Sequence, residues 1–193
     1  MNKVEAAIEL FDDYNRQDPR KIVVDGVTYP YEYFYALQLY HWVKKLEPAA
    51  SDVLLLASRC QHIGRWQKPR ETYPADKIGY HKWRTDLAKL HAEKAGEFML
   101  QAGMDENSIK AVQHIILKKQ LRTDYEVQVM ENALCLVFLQ FQYNEFLQKH
   151  DDETMIRILQ KTWNKMTEPG RNAALSLKYN DRGKELISKA LSS

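Results

Sequence analysis

The sequence predicts an all-α, single-domain helical bundle, and three observations carry that expectation. Apolar residues recur at helical spacing along most of the 193 residues. Glycines and prolines number only 7 and 6, and they fall mostly where helices would start or stop. A β-sandwich would need turn chemistry roughly every 8–12 residues, which this chain lacks. A hydrophobic fraction of 45% and a charged fraction of 28% are ordinary for a folded chain of this size. No internal repeat, low-complexity tract or linker interrupts it, so residues 1–193 read as one helical domain.

Each element has its own signal. An amphipathic segment near Val4–Tyr14 predicts the first helix, which Asp18-Pro19 ends. Lys21–Tyr29, centred on Asp25-Gly26, reads as a short hairpin or an extended loop. Pro30 suits the first turn of a second helix running to about Leu46. Ser51 is an N-cap for a third, near Ser51–Arg65, whose Val53-Leu54-Leu55-Leu56-Ala57 run implies burial on all sides. Gln67–Gly79, with Pro69 and Pro74, reads as an ordered loop, and a fourth helix follows near Tyr80–Ala102, stopped by Gly103. Asp105 caps a fifth, to about Lys119. Thr123-Asp124-Tyr125-Glu126 has the capping-box pattern and opens the longest helix, near Asp124–Lys149. Shorter C-terminal helices complete the chain: Asp151–Lys165, one after Thr167, and Asp181–Leu191.

Composition narrows the function classes. No run of about 18 apolar residues exists, and the N-terminus lacks the apolar core of a signal peptide, so a cytoplasmic chain without membrane spans is expected. Cys60 and Cys135 sit in apolar helical stretches and read as buried thiols. A net charge of +2 is too mild for a dedicated nucleic-acid binder. The charge is uneven, however. Between Arg59 and Arg84, seven Lys or Arg residues face two acids and alternate with Trp66, Tyr73, Tyr80 and Trp83.

Polar residues that break an apolar pattern mark the candidate site. Ser58, Gln61, His62 and Arg65 fall at i, i+3, i+4 and i+7 on the third helix, and Arg84, Ala88, His91 and Ala95 form a similar stripe on the fourth. Glu131 lies in line with Val127, Leu134, Phe138 and Phe141 on the sixth, where an unpaired carboxylate is costly. His62, His91 and Glu131 are therefore candidate ligands for a divalent transition metal that activates water, with His41 a weaker fourth. The plainer reading makes the histidines hydrogen-bonded structural residues and pairs Glu131 with Arg59 or Arg84. The arginines of the basic stretch, held by rigid neighbours such as Pro69 and Trp83, suit bidentate phosphate binding. The expected ligand is an anionic small molecule such as a nucleotide or phosphate ester, with RNA as an alternative through aromatic stacking. No Walker A loop, Gly-x-Gly-x-x-Gly, Gly-x-Ser-x-Gly, Cys-x-x-Cys or His-Glu-x-x-His motif occurs.

Ser58-Arg59-Cys60-Gln61-His62-Ile63, Arg65-Trp66, Pro69-Arg70, Tyr73-Pro74, Gly79-Tyr80, Trp83-Arg84 and His91-Ala92 together resemble the family catalogued as domain of unknown function 4202. Glu126-Val127-Gln128, Glu131, Cys135-Leu136-Val137-Phe138-Leu139 and Lys161-Thr162-Trp163 extend the resemblance over most of the chain. Asn132 stands where that pattern implies an Asp, and His41 where it implies no His. The order of polar residues is also similar to that of the HD-type metal-dependent phosphohydrolases, which implies an HD-domain-like core and short C-terminal helices. Gln61-His62-Ile63-Gly64 overlays His-Asp-Ile-Gly, His41 precedes it, and Glu131 or Asn132 takes the late acid position. On that likeness His62, Glu131 and Gln61 would be catalytic. His62, His91, Glu131 and His41 would hold the metal, while Arg59, Arg65, Trp66, Arg70 and Arg84 would bind substrate. Gln61 is a poor metal ligand and His62 replaces a bridging carboxylate, so the likeness leaves two readings open: an HD-like hydrolase of phosphate esters, or a scaffold that keeps only an anion pocket.

Overall fold

A computed structural model describes residues 2–192. It is helical apart from one hairpin, as the sequence predicts. The contacts divide the chain into two compact units, one up to Gln120 and one from Leu121 onward, where the absence of a linker suggested a single domain. No helix is long and apolar enough to cross a membrane among the described residues.

In the first unit, α1 (Lys3–Asn15) opens with a capping box. Asn2 Oδ1 accepts from the Glu5 backbone N–H at 2.9 Å, and the Glu5 carboxylate accepts from the Asn2 N–H at 2.9 Å. The helix buries Ala7, Phe11, Asp12 and Asn15, so two polar residues share its inner face. β1 (Lys21–Val24) and β2 (Val27–Pro30) pair antiparallel with Val24 opposite Val27. Asp25 and Gly26 take φ of 50° and 79°, the doubly left-handed turn that a two-residue hairpin needs.

Next, α2 (Tyr31–Leu46) starts directly after Pro30. Ser51 Oγ accepts from Leu54 N–H at 3.1 Å and caps α3 (Asp52–Cys60). Leu54, Leu56, Ala57 and Cys60 are fully enclosed, and α3 packs on α1, α2 and α5. It ends at Cys60, five residues before the expected stop. Gly64 takes φ 71°, which no continuing right-handed helix allows, and Arg65–Gln67 forms a separate 3₁₀ turn. Arg65 therefore does not belong to a helical stripe with Ser58, Gln61 and His62.

The expected loop contains that turn and a second at Arg70–Thr72, and α4 (Lys77–Gln101) begins three residues early because Asp76 caps it through Gly79 N–H at 2.7 Å. Gly103, at φ 77°, stops it as expected. Then α5 (Glu106–Ile116), capped by Asp105, ends three residues short of Lys119.

Gly79 fixes the loop to the start of α4. A Cβ at this position would collide with the Pro74 carbonyl oxygen, which is backbone and cannot rotate away. Alanine is worth about 1 kcal/mol more than glycine in an open helix. Here the collision outweighs that gain, and Gly79→Ala is expected to lower stability by about 1–3 kcal/mol in denaturant unfolding. A stabilised variant would contradict this account of the loop.

In the second unit, the N-cap is Asp124, whose side chain accepts from Val127 N–H at 3.1 Å, one residue later than the expected Thr123. The long helix is two: α6 (Tyr125–Val137) and α7 (Tyr143–Lys149), separated by a π-helical stretch at Phe138–Gln142. The longest unbroken α-helix is α4, at 25 residues. The unit closes with α8 (Asp152–Lys165), α9 (Glu168–Leu175) and α10 (Asp181–Ser192), near the predicted bounds. Asn132 joins α6 to the start of α9. Its Oδ1 accepts from Thr167 N–H at 3.0 Å and its Nδ2 donates to Thr167 Oγ1 at 2.7 Å, while a Cβ on Gly170 would lie 2.7 Å from that Oδ1. An amide supplies both donor and acceptor here, which an ionised Asp could not.

Candidate functional site

The polar residues of the first unit gather around the end of α3. Asp12 on α1 and Arg59 on α3 form a buried ion pair: Arg59 Nε donates to Asp12 Oδ1 at 3.1 Å, and Nη2 donates to Oδ2. Asn15 Nδ2 donates to the Arg59 carbonyl at 3.3 Å. At the start of α2, Glu32 accepts from Arg20 at 2.8 Å, and Asp18 accepts from Arg20 and from the Glu32 backbone N–H. Between these pairs lies a small recess of about 10 Å³, room for about one water, with Asn15, Glu32, Tyr35, Ser58, Arg59 and His62 on its walls.

Both histidines of the site are held neutral. Burial comes first in pushing His62 well below its ordinary range, and the charges of Arg65, His91, Lys118 and Arg84 add to it. His62 makes no hydrogen bond to a described residue and keeps a small accessible edge. His91, nearly enclosed on α4, is pushed down to about 4, chiefly by burial. Its Nδ1 lies 2.7 Å from the Ile63 carbonyl, so Nδ1 carries the proton and donates it. The two rings are edge to face with centroids 5.8 Å apart. Glu32 shifts the other way: burial raises its carboxyl, while Arg65 and Arg20 oppose the shift.

Outside the recess, three arginines meet two aromatic rings. Arg65 lies over Trp83 at 5.2 Å from the ring centroid. Arg70 lies 5.9 Å from both Trp83 and Tyr80, and Arg84 lies 5.9 Å from Tyr80. Arg70 is oriented by a bond to the Tyr73 carbonyl at 3.0 Å, and Trp83 by one to the Lys68 carbonyl at 2.8 Å. None of the three arginines stands in an ion pair with a described residue, in contrast to Arg20 and Arg59. The charges of Arg65 and Arg84 are near enough to act on His62.

The predicted site residues thus separate. His62, His91, Arg65, Arg70 and Arg84 come together. Arg59 is committed to Asp12, which leaves it a structural partner rather than a free phosphate ligand. Gln61 is buried, donating to the Ile116 carbonyl at 3.1 Å, and Trp66 packs on Tyr14 at 5.4 Å between ring centroids. His41 is exposed and sits against Trp42. Of the two alanines in the α4 stripe, Ala95 is fully enclosed and Ala88 is half-buried. Burial raises the Cys60 thiol, and its Sγ donates to the Leu56 carbonyl, which makes it inert as a nucleophile.

Glu131 is buried as expected, but it lies in the second unit, with Lys165 Nζ at 3.6 Å. Among the described residues no group of three or more His, Cys, Asp or Glu side chains gathers as a metal site. Of the predicted donors, His91 keeps Nε2 clear of its bond to Ile63, as a ligating imidazole does, while His41 is an exposed residue beside Trp42.

The sequence reading missed Asp12, Asn15 and Glu32. Asp12 and Asn15 follow Ala7 by five and eight residues, on the inner face of α1, so the periodicity applied to α3 would have found them. Glu32 sits in the first turn of a helix, where a carboxylate is ordinarily solvated and favoured by the helix dipole, and nothing local marks it as buried.

A family model described as domain of unknown function 4202 matches residues 5–187. The chain belongs to that family. No curated protein and no solved structure matches it. The domain of unknown function 4202 assignment therefore supplies membership, and the chemistry has to come from the residues above.

Proposed function

We propose that the first unit binds an anionic small molecule, a nucleotide or another phosphate ester, on the cationic rim around His62. The supporting observation is the group Arg65, Arg70 and Arg84, gathered on Trp83 and Tyr80 with no ion pair to a described acid, beside an imidazole that stays neutral. Planar guanidinium groups bind phosphate oxygens in pairs, and prior orientation lowers the entropy lost on binding. The basic stretch is offset by the rest of the chain, so its charge serves a local site rather than long-range attraction to a polyanion.

The accessible edge of His62 beside the arginines supports a second reading, hydrolysis of the bound ester. An unprotonated imidazole with an accessible edge can take a proton from an attacking water at pH 7, and the bound arginines would stabilise charge on the phosphoryl oxygens. A panel of nucleotides, sugar phosphates, inorganic phosphate and a short single-stranded RNA, read by thermal shift and by phosphate release, separates the two. Binding predicts saturable stabilisation by the small anions. Arg84→Ala is expected to weaken their affinity about tenfold, the worth of one charge-assisted hydrogen bond. Stabilisation without release would leave binding alone, release lost in His62→Gln would establish the hydrolase, and RNA as the sole ligand would overturn the small-molecule assignment.

A further inference from the structure

We infer that Lys118 is a further cation of the anion site, and that the site selects the doubly charged terminal phosphate of a monoester over the singly charged phosphate of a diester. This rests on the anion reading above and names the substrate class of that same site.

Lys118 reaches the site through the end of α5. The Ile116 carbonyl accepts from Gln61 Nε2 at 3.1 Å, which ties that end to the residue next to His62. The backbone N–H groups of Lys118 and Lys119 then donate to the Ile115 and His114 carbonyls at 2.9 and 3.1 Å, the crossed bonds of a Schellman turn. The left-handed residue of this turn is Lys118, at φ 52°. Glycine is the usual occupant of such a position, because a Cβ is strained there. A long cationic side chain therefore stands where the backbone favours none, and strain of this kind beside a site points to a role in it. Lys118 is half-buried, and its charge is near enough to act on His62 together with those of Arg65 and Arg84.

The three cations around His62 come from three elements: Arg65 from the turn after Gly64, Arg84 from α4 and Lys118 from the end of α5. Arg70 joins them through the rings it shares with Arg65 and Arg84. Arg65 also acts on Glu32, but that carboxylate already accepts from Arg20 at 2.8 Å. Like charges collected around one neutral imidazole repel one another, and a bound anion relieves that repulsion in proportion to its own charge. A phosphate monoester carries about −1.5 to −2 at pH 7 and offers three terminal oxygens, which matches donors arriving from three elements. A diester carries a single charge and offers two such oxygens, so one cation is left without a partner.

The test is calorimetric titration of the full chain at pH 7 with ribose 5-phosphate and with its methyl diester. The monoester is expected to bind about tenfold more tightly, the worth of one charge-assisted hydrogen bond. Lys118→Gly is expected to weaken monoester binding about tenfold and to bring the two affinities together. Its urea midpoint should stay level or rise, since glycine relieves the left-handed strain. Lys118→Arg, which keeps the charge, is expected to keep the preference for the monoester. Equal affinity of the unmodified chain for monoester and diester would overturn the selection while the anion reading stands. Full monoester affinity in Lys118→Gly would remove Lys118 from the site. Binding of neither ester would overturn both readings.

Discussion

Asp12→Ala is expected to lower the stability of the first unit by about 3–5 kcal/mol, the range for breaking one side of a buried ion pair. The loss comes less from the attraction removed than from the charge left behind. Arg59 is 5% exposed, and Asp12 takes two of its hydrogen bonds. With the carboxylate gone, the guanidinium has neither water nor counter-charge, and the chain must open or hydrate the α1–α3 contact. Asp12→Asn should cost less, since an amide oxygen still accepts one bond. Urea unfolding of the three proteins measures both differences. A loss below about 1 kcal/mol for Asp12→Ala would mean that Arg59 is as well solvated as a surface residue.

Acid should destabilise the first unit through its histidines. His91 is pushed down to about 4 in the fold, and an unfolded His titrates near 6.5. As pH falls from about 6.5 to about 4 the unfolded chain takes up a proton that the folded chain refuses, so stability falls with pH across that window and levels off below it. The full shift corresponds to about 3 kcal/mol. His62 is lowered too and acts in the same direction. Glu32, raised by burial, has the opposite sign: its contribution is present below the unfolded carboxyl value and is lost as pH rises through the folded one. The difference in stability between the wild type and His91→Gln isolates His91 from these neighbours. It should favour the wild type more at pH 7 than at pH 4 by about 3 kcal/mol. A difference independent of pH would mean that His91 is protonated or solvated in the fold.

Local signals read well from this sequence. Asp25-Gly26 marked the turn of what read as a hairpin or an extended loop, Ser51 and Asp105 marked caps, and the C-terminal helices fell close to their predicted ends. These features depend on backbone chemistry within a few residues. The end of α3 was misread because Gly64 lies in a polar run that keeps helical spacing on paper, while its left-handed φ ends the helix in space. The arginine cluster was visible as a run of charge between Arg59 and Arg84. Its inner half was not, since Asp12 meets Arg59 across 47 positions and Arg20 meets Glu32 across the hairpin. A carboxylate near a helix terminus reads the same whether it is solvated or buried beneath another element. Awkward polar groups on three helices were each unusual, but sequence does not say what surrounds them: Glu131 lies in the second unit with Lys165 beside it. Asn132, the departure from the family's expected Asp, anchors Thr167 at the start of α9.

The central claim, that an anion is held at His62 by the arginine rim, is tested most directly by the imidazole resonances of the six histidines during titration with ribose 5-phosphate at pH 7. The account predicts a saturable shift at His62, smaller at His91, with the exposed His41 and His150 unmoved, and about tenfold more ligand needed to reach that shift in Arg84→Ala. A resonance of His62 that stays fixed to saturating ligand, or that moves in step with His41 and His150, would contradict it.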